Sequence, residues 1–235
     1  MSELAARLDA IRARIAAAAA GAGRSPAEVQ LVAVSKTFPP ESLLEAGDAG
    51  QTLFGESRVQ EARAKIPLLP GRFHWHFIGH LQRNKIRQAL PLFELFHGID
   101  SLDLARDLQR VADELGLRPA LLLEVNLAGE SSKFGFAPDR LRADFEDLLG
   151  LDRLEIRGLM TVPPAHPDPA ASRPYFAALR ELRDELQTTY RAGLPELSMG
   201  MSNDFETAIA EGATLVRVGS AIFGERPRPP RPADA

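Results

Sequence analysis

Short apolar runs without charge, each followed by an amphipathic stretch, repeat along most of this chain. The first run is Leu31-Val-Ala-Val-Ser-Lys36-Thr37, whose four aliphatic residues suit a strand buried on both faces of a parallel sheet. It ends abruptly in a lysine. Runs of the same kind predict further strands over residues 51–55, 73–79, 93–100, 120–126, 154–161, 196–201 and 214–220. Helical patterns follow them, over 40–49, from 56 onward, and over 81–90, 102–115, 139–149, 169–190 and 204–211, with 221–224 running on from the last strand. Ahead of the first strand, Leu4, Leu8, Ile11 and Ile15 recur at helical spacing and predict a helix that lays one apolar stripe on the core. Gly21 and Gly23 end it, and Ser25-Pro26-Ala-Glu28 is a cap-like start for a short turn of helix. The segment carries arginines as transit peptides do, but Glu3 and Asp9 argue for a structural helix.

Eight strand signals alternating with helices predict a single (β/α)8 barrel, a TIM barrel of the α/β class, over residues 1–226 with an extra N-terminal helix. The alternative is a doubly wound open sheet. Its dinucleotide fingerprint is missing, because Ser35-Lys36-Thr37-Phe38 stands where the glycines would follow the first strand. Residues 227–235, rich in proline, are expected to form a disordered tail. A barrel gathers its C-terminal strand ends into one ring, so Lys36, Glu56, Ser57, His80, Asn126, Met160, Thr161, Ser202, Asn203, Arg217, Gly219 and Ser220 are candidates for one pocket. Barrels frequently bind phosphate in the loops after strands seven and eight. Gly200-Met201-Ser202-Asn203-Asp204 and Gly219-Ser220 supply glycines, hydroxyls and a helix start there.

Composition narrows the chemistry. A length of 235 residues suits one large barrel, and a net charge of −4 gives no electrostatic case for nucleic acid or an anionic membrane. No cysteine is present, which removes disulfides and thiolate ligands and is compatible with a reducing compartment. No apolar run approaches the roughly 20 residues that span a bilayer. Only four of the 28 basic residues are lysines: Lys36, Lys65, Lys85 and Lys133. What lysine offers over arginine is an amine that can lose its proton and attack a carbonyl. Arg217 lies two residues before Gly219 and shares its face, pointing inward, which is costly unless something pairs with it. Glu124 and Glu155 are the candidate partners. His74, His76 and His80 raise a metal site, but no carboxylate pattern completes one; His74 and His76 read as strand residues, with Trp75 and Phe77 packing on the other face.

A carbonyl-reactive lysine on strand one, a phosphate cup after strands seven and eight and an inward arginine suit pyridoxal 5′-phosphate (PLP). Its aldehyde would form an imine with Lys36, and the arginine would meet the pyridine nitrogen. Over residues 3–226 the chain closely resembles the pyridoxal phosphate homeostasis protein family, of the YggS and PROSC type. The motifs are Leu31 to Thr37, Phe54-Gly-Glu-Ser-Arg-Val-Gln-Glu61, Trp75-His-Phe-Ile-Gly-His-Leu-Gln82 with Asn84-Lys85, Ser132-Lys133-Phe-Gly135, Gly158-Leu-Met-Thr161, Leu197-Ser-Met-Gly-Met-Ser-Asn-Asp204, and Val216-Arg-Val-Gly-Ser220 through Gly224.

The resemblance implies a barrel like the N-terminal domain of alanine racemase, PLP fold type III, with the cofactor as a Schiff base on Lys36. Ser202, Gly219 and Ser220 would bind the phosphate and Arg217 the pyridine nitrogen; Ser57 and Met160 complete the expected cofactor-binding set, with no catalytic residue and no metal. The family often has Glu-Asn where this chain has Glu56-Ser57, which shortens or removes any contact of that side chain to the ring. It often has threonine where Ser220 stands, a change that keeps the hydroxyl.

An arginine at the pyridine nitrogen disfavours its protonation and weakens the ring as an electron sink. The chain also ends with the barrel, and its two tyrosines, Tyr175 and Tyr190, fall on the long sixth helix. The expectation is therefore a cytoplasmic, monomeric PLP-binding protein that stores, buffers or delivers the cofactor to apo PLP-dependent enzymes, with no nucleic-acid or membrane partner. The alternative is a fold-type III amino-acid racemase. Lys65, Lys85 and Lys133 stay open between secondary acceptors for the aldehyde and solvated or structural roles.

Overall fold

A computed structural model describes residues 2–224. Met1 and residues 225–235, which include the expected tail and the last two positions of the expected domain, lie outside the described residues. Helix α1 (Glu3–Gly21) comes first, capped by the Ser2 hydroxyl, which accepts from the Ala5 N–H at 3.2 Å. Then follow β1 (Gln30–Val34), α2 (Pro40–Asp48), β2 (Leu53–Glu56), α3 (Val59–Lys65), β3 (His74–Phe77), α4 (Ile86–Ala89), β4 (Leu95–Ile99), α5 (Leu102–Leu115) and β5 (Ala120–Glu124). The second half is α6 (Pro138–Leu149), β6 (Glu155–Met160), α7 (Arg173–Tyr190), β7 (Glu196–Ser198), α8 (Phe205–Ala210), β8 (Leu215–Val218) and α9 (Ser220–Phe223). The strands are parallel, stand in sequence order and close into a barrel. That is the expected architecture, and it excludes the open sheet.

Two helices differ from expectation for local reasons. Residues 81–90 form a 3-10 turn, Arg83–Lys85, and then only the single turn of α4, with no side chain capping either start. The helix expected from residue 169 starts as a 3-10 turn, Pro169–Ser172, and becomes α-helical only at Arg173. Pro174 has no N–H to give and is tolerated only in a first helical turn, so the α-helix begins around it.

The strand period of two sorts side chains between two cores. Val32, Leu95, Leu122, Met160 and Leu215 fill the barrel. Phe54, Trp75, Phe77, Phe96, Leu121, Leu123, Leu159, Val216 and Val218 pack outside it, in the larger core that also takes the helices. Two register shifts interrupt the period, one on β4 between Phe96 and Ile99 and one where β6 passes from Ile156 to Gly158 opposite Leu121 and Leu122. An extra residue in β4 lets Phe96 and Ile99 both pack outward while His97 between them turns inward. α1 lays its stripe of Leu4, Leu8, Ile11, Ile15 and Ala19 against α8 and α9, beside the seam where β8 meets β1. Arg7 Nε donates to the Ile222 carbonyl at 2.8 Å, and Arg14 pairs with Glu206 at 2.6 Å.

β6 and β7 approach each other closely at Gly158, where a Cβ would stand 1.9 Å from the Glu196 carbonyl oxygen. That oxygen belongs to a strand backbone and has no free direction to move. Gly158→Ala is expected to lower unfolding free energy by about 3 kcal/mol or more, read as a fall in the urea midpoint with the denaturant slope unchanged.

Candidate functional site

Parallel closure places the C-terminal ends of all eight strands on one rim. β1 stops at Val34, and Ser35 keeps one further ladder bond, its N–H reaching the Gly55 carbonyl at 3.0 Å. The chain then turns over a Phe38 N–H to Ser35 carbonyl bond of 3.1 Å. Thr37 takes a left-handed conformation at φ 71°, and Lys36 stands half-buried in the turn. Phe38 stacks on Phe223 with ring centroids 4.9 Å apart, which ties the turn to α9.

Across the seam, a Cβ on Gly219 would lie 3.3 Å from the Val34 Cβ, so the ends of β8 and β1 touch. Ser202 reaches the same place from β7. Its hydroxyl accepts the Gly219 N–H at 3.4 Å and lies 3.4 Å from the Ser220 hydroxyl. Gly200 permits that approach: its φ is 89°, and a Cβ there would fall 2.6 Å from the Ala208 Cβ. The Asp204 carboxylate shapes the turn by accepting the Met201 N–H at 2.7 Å and the Ser172 hydroxyl at 2.8 Å. Two hydroxyls and an N–H therefore gather beside the Lys36 turn, and the nearby carboxylate is already engaged with protein donors. The donor set fits the oxygens of a phosphate.

Arg217 points into the barrel and is 5% exposed. One Nη donates to the Ser198 hydroxyl and the other to the Thr161 carbonyl at 2.9 Å. Ser198 Oγ in turn lies 2.8 Å from His97 Nδ1, and His97 Nε2 lies 3.0 Å from His76 Nδ1. A guanidinium only donates, so Ser198 accepts from Arg217. With the Ser198 hydroxyl hydrogen turned to His97 Nδ1, His97 carries its proton on Nε2 and donates to His76 Nδ1. Neutral histidines are what this requires. Burial holds His97 well below the ordinary histidine value and lowers His76 to about 4. Burial also lowers Arg217, to about 10, which leaves it charged at neutral pH; Glu124 and Asp204 oppose that shift.

Neither carboxylate expected as the ion-pair partner of Arg217 takes that role. Glu155 is exposed at the start of β6 near Arg157, and Glu124 reaches Arg217 only as a longer-range charge. Met160 lies at the end of β6, buried in the inner core and level with Glu124 and Ser198. Ser57 follows β2 and lines a recess at the rim with Arg58, Phe77, His80 and Lys85. The three clustered histidines go to three places: His74 to the surface beside Glu94 at 2.8 Å, His76 into the barrel, and His80 to Asp100 at 2.9 Å and the exposed ring of Phe134. Lys133 pairs with Glu130. Lys65 is buried against Glu56 and Glu61. His97 and Ser198 are site residues that sequence reasoning missed.

Burial raises the Glu124 carboxyl to about 7, Asp100 adds to the rise, and Arg217 opposes it. A carboxyl raised above its unfolded value of 4.5 stabilises the fold at low pH, and that contribution is lost as pH rises from about 4.5 through about 7. Glu124→Gln is therefore expected to gain stability relative to wild type between pH 5 and pH 8, measured as the difference in urea midpoints. An unchanged difference across that window would contradict the assignment.

The family model described as "Alanine racemase, N-terminal domain" matches residues 6–227. A "Pyridoxal phosphate homeostasis protein" of Aquifex aeolicus is 45% identical over 221 residues, covering 94% of this chain and 97% of that one. One of the same name from Pseudomonas aeruginosa is 46% identical, covering 96% and 97%. The solved structure of PipY from Synechococcus elongatus PCC7942, with PLP bound, superposes with a TM-score of 0.83 at 42% identity, covering 94% of this chain and all of that one. On these matches the chain belongs to the alanine racemase N-terminal-domain family, among the pyridoxal phosphate homeostasis proteins.

Proposed function

We propose that this protein binds PLP and serves intracellular PLP homeostasis by storing, buffering or delivering the cofactor, without strong catalytic activity of its own. The proposal is supported by the closure of β8 on β1, which sets the turn that carries Lys36 beside Ser202, Gly219 and Ser220, and by the buried Arg217 on β8, whose guanidinium lies inside the barrel. When bound, PLP supplies an aldehyde carbon able to form an imine with a primary amine. Lys36 would be the residue whose amine holds this carbon. Ser202, Gly219 and Ser220 take the phosphate oxygens by donating an N–H and hydroxyl hydrogens. Arg217 spends two of its five N–H groups on Ser198 and Thr161 and keeps others for the pyridine nitrogen. Because it stays charged and only donates, it holds that nitrogen unprotonated and restrains carbanion chemistry. Met160 belongs to the floor and Ser57 to the rim.

The barrel acts as one unit over residues 1–226, as a monomer whose partners are PLP and apo PLP-dependent enzymes. No helix of the described residues is long and apolar enough to cross a membrane. A cytoplasmic setting follows from the role, beside the enzymes that take the cofactor, and suits a chain without cysteine.

Purified protein loaded with PLP is expected to absorb in the visible range, and borohydride reduction followed by peptide mapping is expected to place the adduct on Lys36. Lys36→Ala should lose the band. A protein that stays colourless after reconstitution overturns the binding assignment. Given L-alanine or L-serine, the loaded protein is expected to exchange no α-proton above the rate of free PLP; exchange well above it would favour the racemase.

A further inference from the structure

Below the Lys36 turn lies a buried ionic cluster that phosphate and ring binding leave unexplained. Lys65, at the end of α3, is 6% exposed, and its Nζ donates to the Ser35 carbonyl at 3.0 Å, to Glu56 Oε1 at 2.7 Å and to Glu61 Oε1 at 2.8 Å. Three acceptors meet the three hydrogens of one ammonium. The Ser35 hydroxyl donates to the same Glu56 oxygen at 2.7 Å. The Glu61 oxygen held by Lys65 also accepts the Thr37 N–H at 2.6 Å.

Lys65 thus grips both neighbours of Lys36, the Ser35 carbonyl directly and the Thr37 N–H through Glu61. Thr37 needs such a grip. At φ 71° it occupies a region that a β-branched residue rarely adopts, and such conformations persist only where surrounding contacts hold them. Burying an ammonium with two carboxylates is costly, and packing alone would be served as well by apolar side chains. What apolar side chains lack is a directed pull on two backbone groups.

We propose that Lys65 and Glu61 are positioning residues that clamp the Ser35–Thr37 turn in its strained shape and so aim the Lys36 amine at the cofactor's aldehyde. The inference rests on Lys36 being the residue that takes PLP.

The test uses the full chain with Lys65→Met, Glu61→Gln, Thr37→Gly and the combination of Lys65→Met with Thr37→Gly. Amide hydrogen exchange at Thr37 is read without PLP. The rate of PLP capture at Lys36 is read by borohydride trapping and peptide mapping. Lys65→Met is expected to speed exchange at Thr37 about tenfold or more and to slow capture about tenfold, the scale of losing a charge-assisted hydrogen bond. Glu61→Gln, at a partly exposed position, should move both readouts the same way by less, and it carries the test where Lys65→Met does not fold. Thr37→Gly should recover most of the capture rate in the Lys65→Met background, because glycine takes positive φ without a clamp.

Unchanged exchange at Thr37 overturns the clamp. Faster exchange with unchanged capture overturns the positioning role, and so do losses that merely add in the combined variant. A wild type that never captures PLP at Lys36 overturns the binding proposal instead, and the exchange readout then decides the clamp by itself.

Discussion

β8 pairs with β1 over Leu215–Val218 against residues 30–33, and the arrangement of the mouth depends on that closure. Without it the first and last strands would be opposite edges of a sheet, with Lys36 at one and Gly219 and Ser220 at the other. With it, Val34 and Gly219 touch, and the two loops latest in the chain stand beside the turn after the first strand. Closure also fixes direction, because all eight C-terminal ends share one rim. α1 and α9 reinforce the seam from outside: the stripe of α1 lies on α9, and Phe223 of α9 stacks on Phe38 of the Lys36 turn.

The same closure creates a problem inside. An arginine in a barrel lined by Val32, Leu95, Leu122, Met160 and Leu215 must be compensated within reach of its own nitrogens. An added carboxylate would bring its own desolvation cost. The barrel uses a hydroxyl and a backbone carbonyl instead, and passes the hydrogen-bonding need of Ser198 on to two histidines kept neutral by burial. The guanidinium is therefore a strong donor within the network, bonded to no anion among the described residues. A charge satisfied by neutral groups keeps more of its field for a ligand than one cancelled by an ion pair.

The strands were legible because parallel strands buried on both faces read as uncharged runs, and the run from Leu31 to Val34 is a clear case. The edges were less so: Ser35 and Lys36 continue the run's direction but belong to the turn. His97 was hidden for a definite reason. Ile99 packs outside, and counting in twos back from it turns His97 outward as well; only the extra residue in β4 reconciles Ile99 with an inward His97. A bulge leaves no mark in the hydrophobic pattern. Arg217 was placed correctly by parity, while its partners were not, because sequence reasoning looks for opposite charge and a backbone carbonyl carries no letter. Ser202, Gly219 and Ser220 converge as the loop positions implied, and Ser57 lines a recess at the rim.

The scarcity of lysine had two causes. For Lys36 the proposed reason is chemical, an amine that can shed its proton. For Lys65 it is geometric. Its three acceptors meet on one nitrogen at 2.7–3.0 Å, which suits a compact ammonium and not a planar guanidinium with its donors spread over a fork. The pairing with Glu61 four residues earlier on α3 was readable as a helix pair, but the Ser35 carbonyl lies thirty positions away in sequence. A lysine that the sequence leaves open between an acceptor for the aldehyde and a solvated or structural role is, in the proposed clamp, the group on which the turn of the other lysine rests.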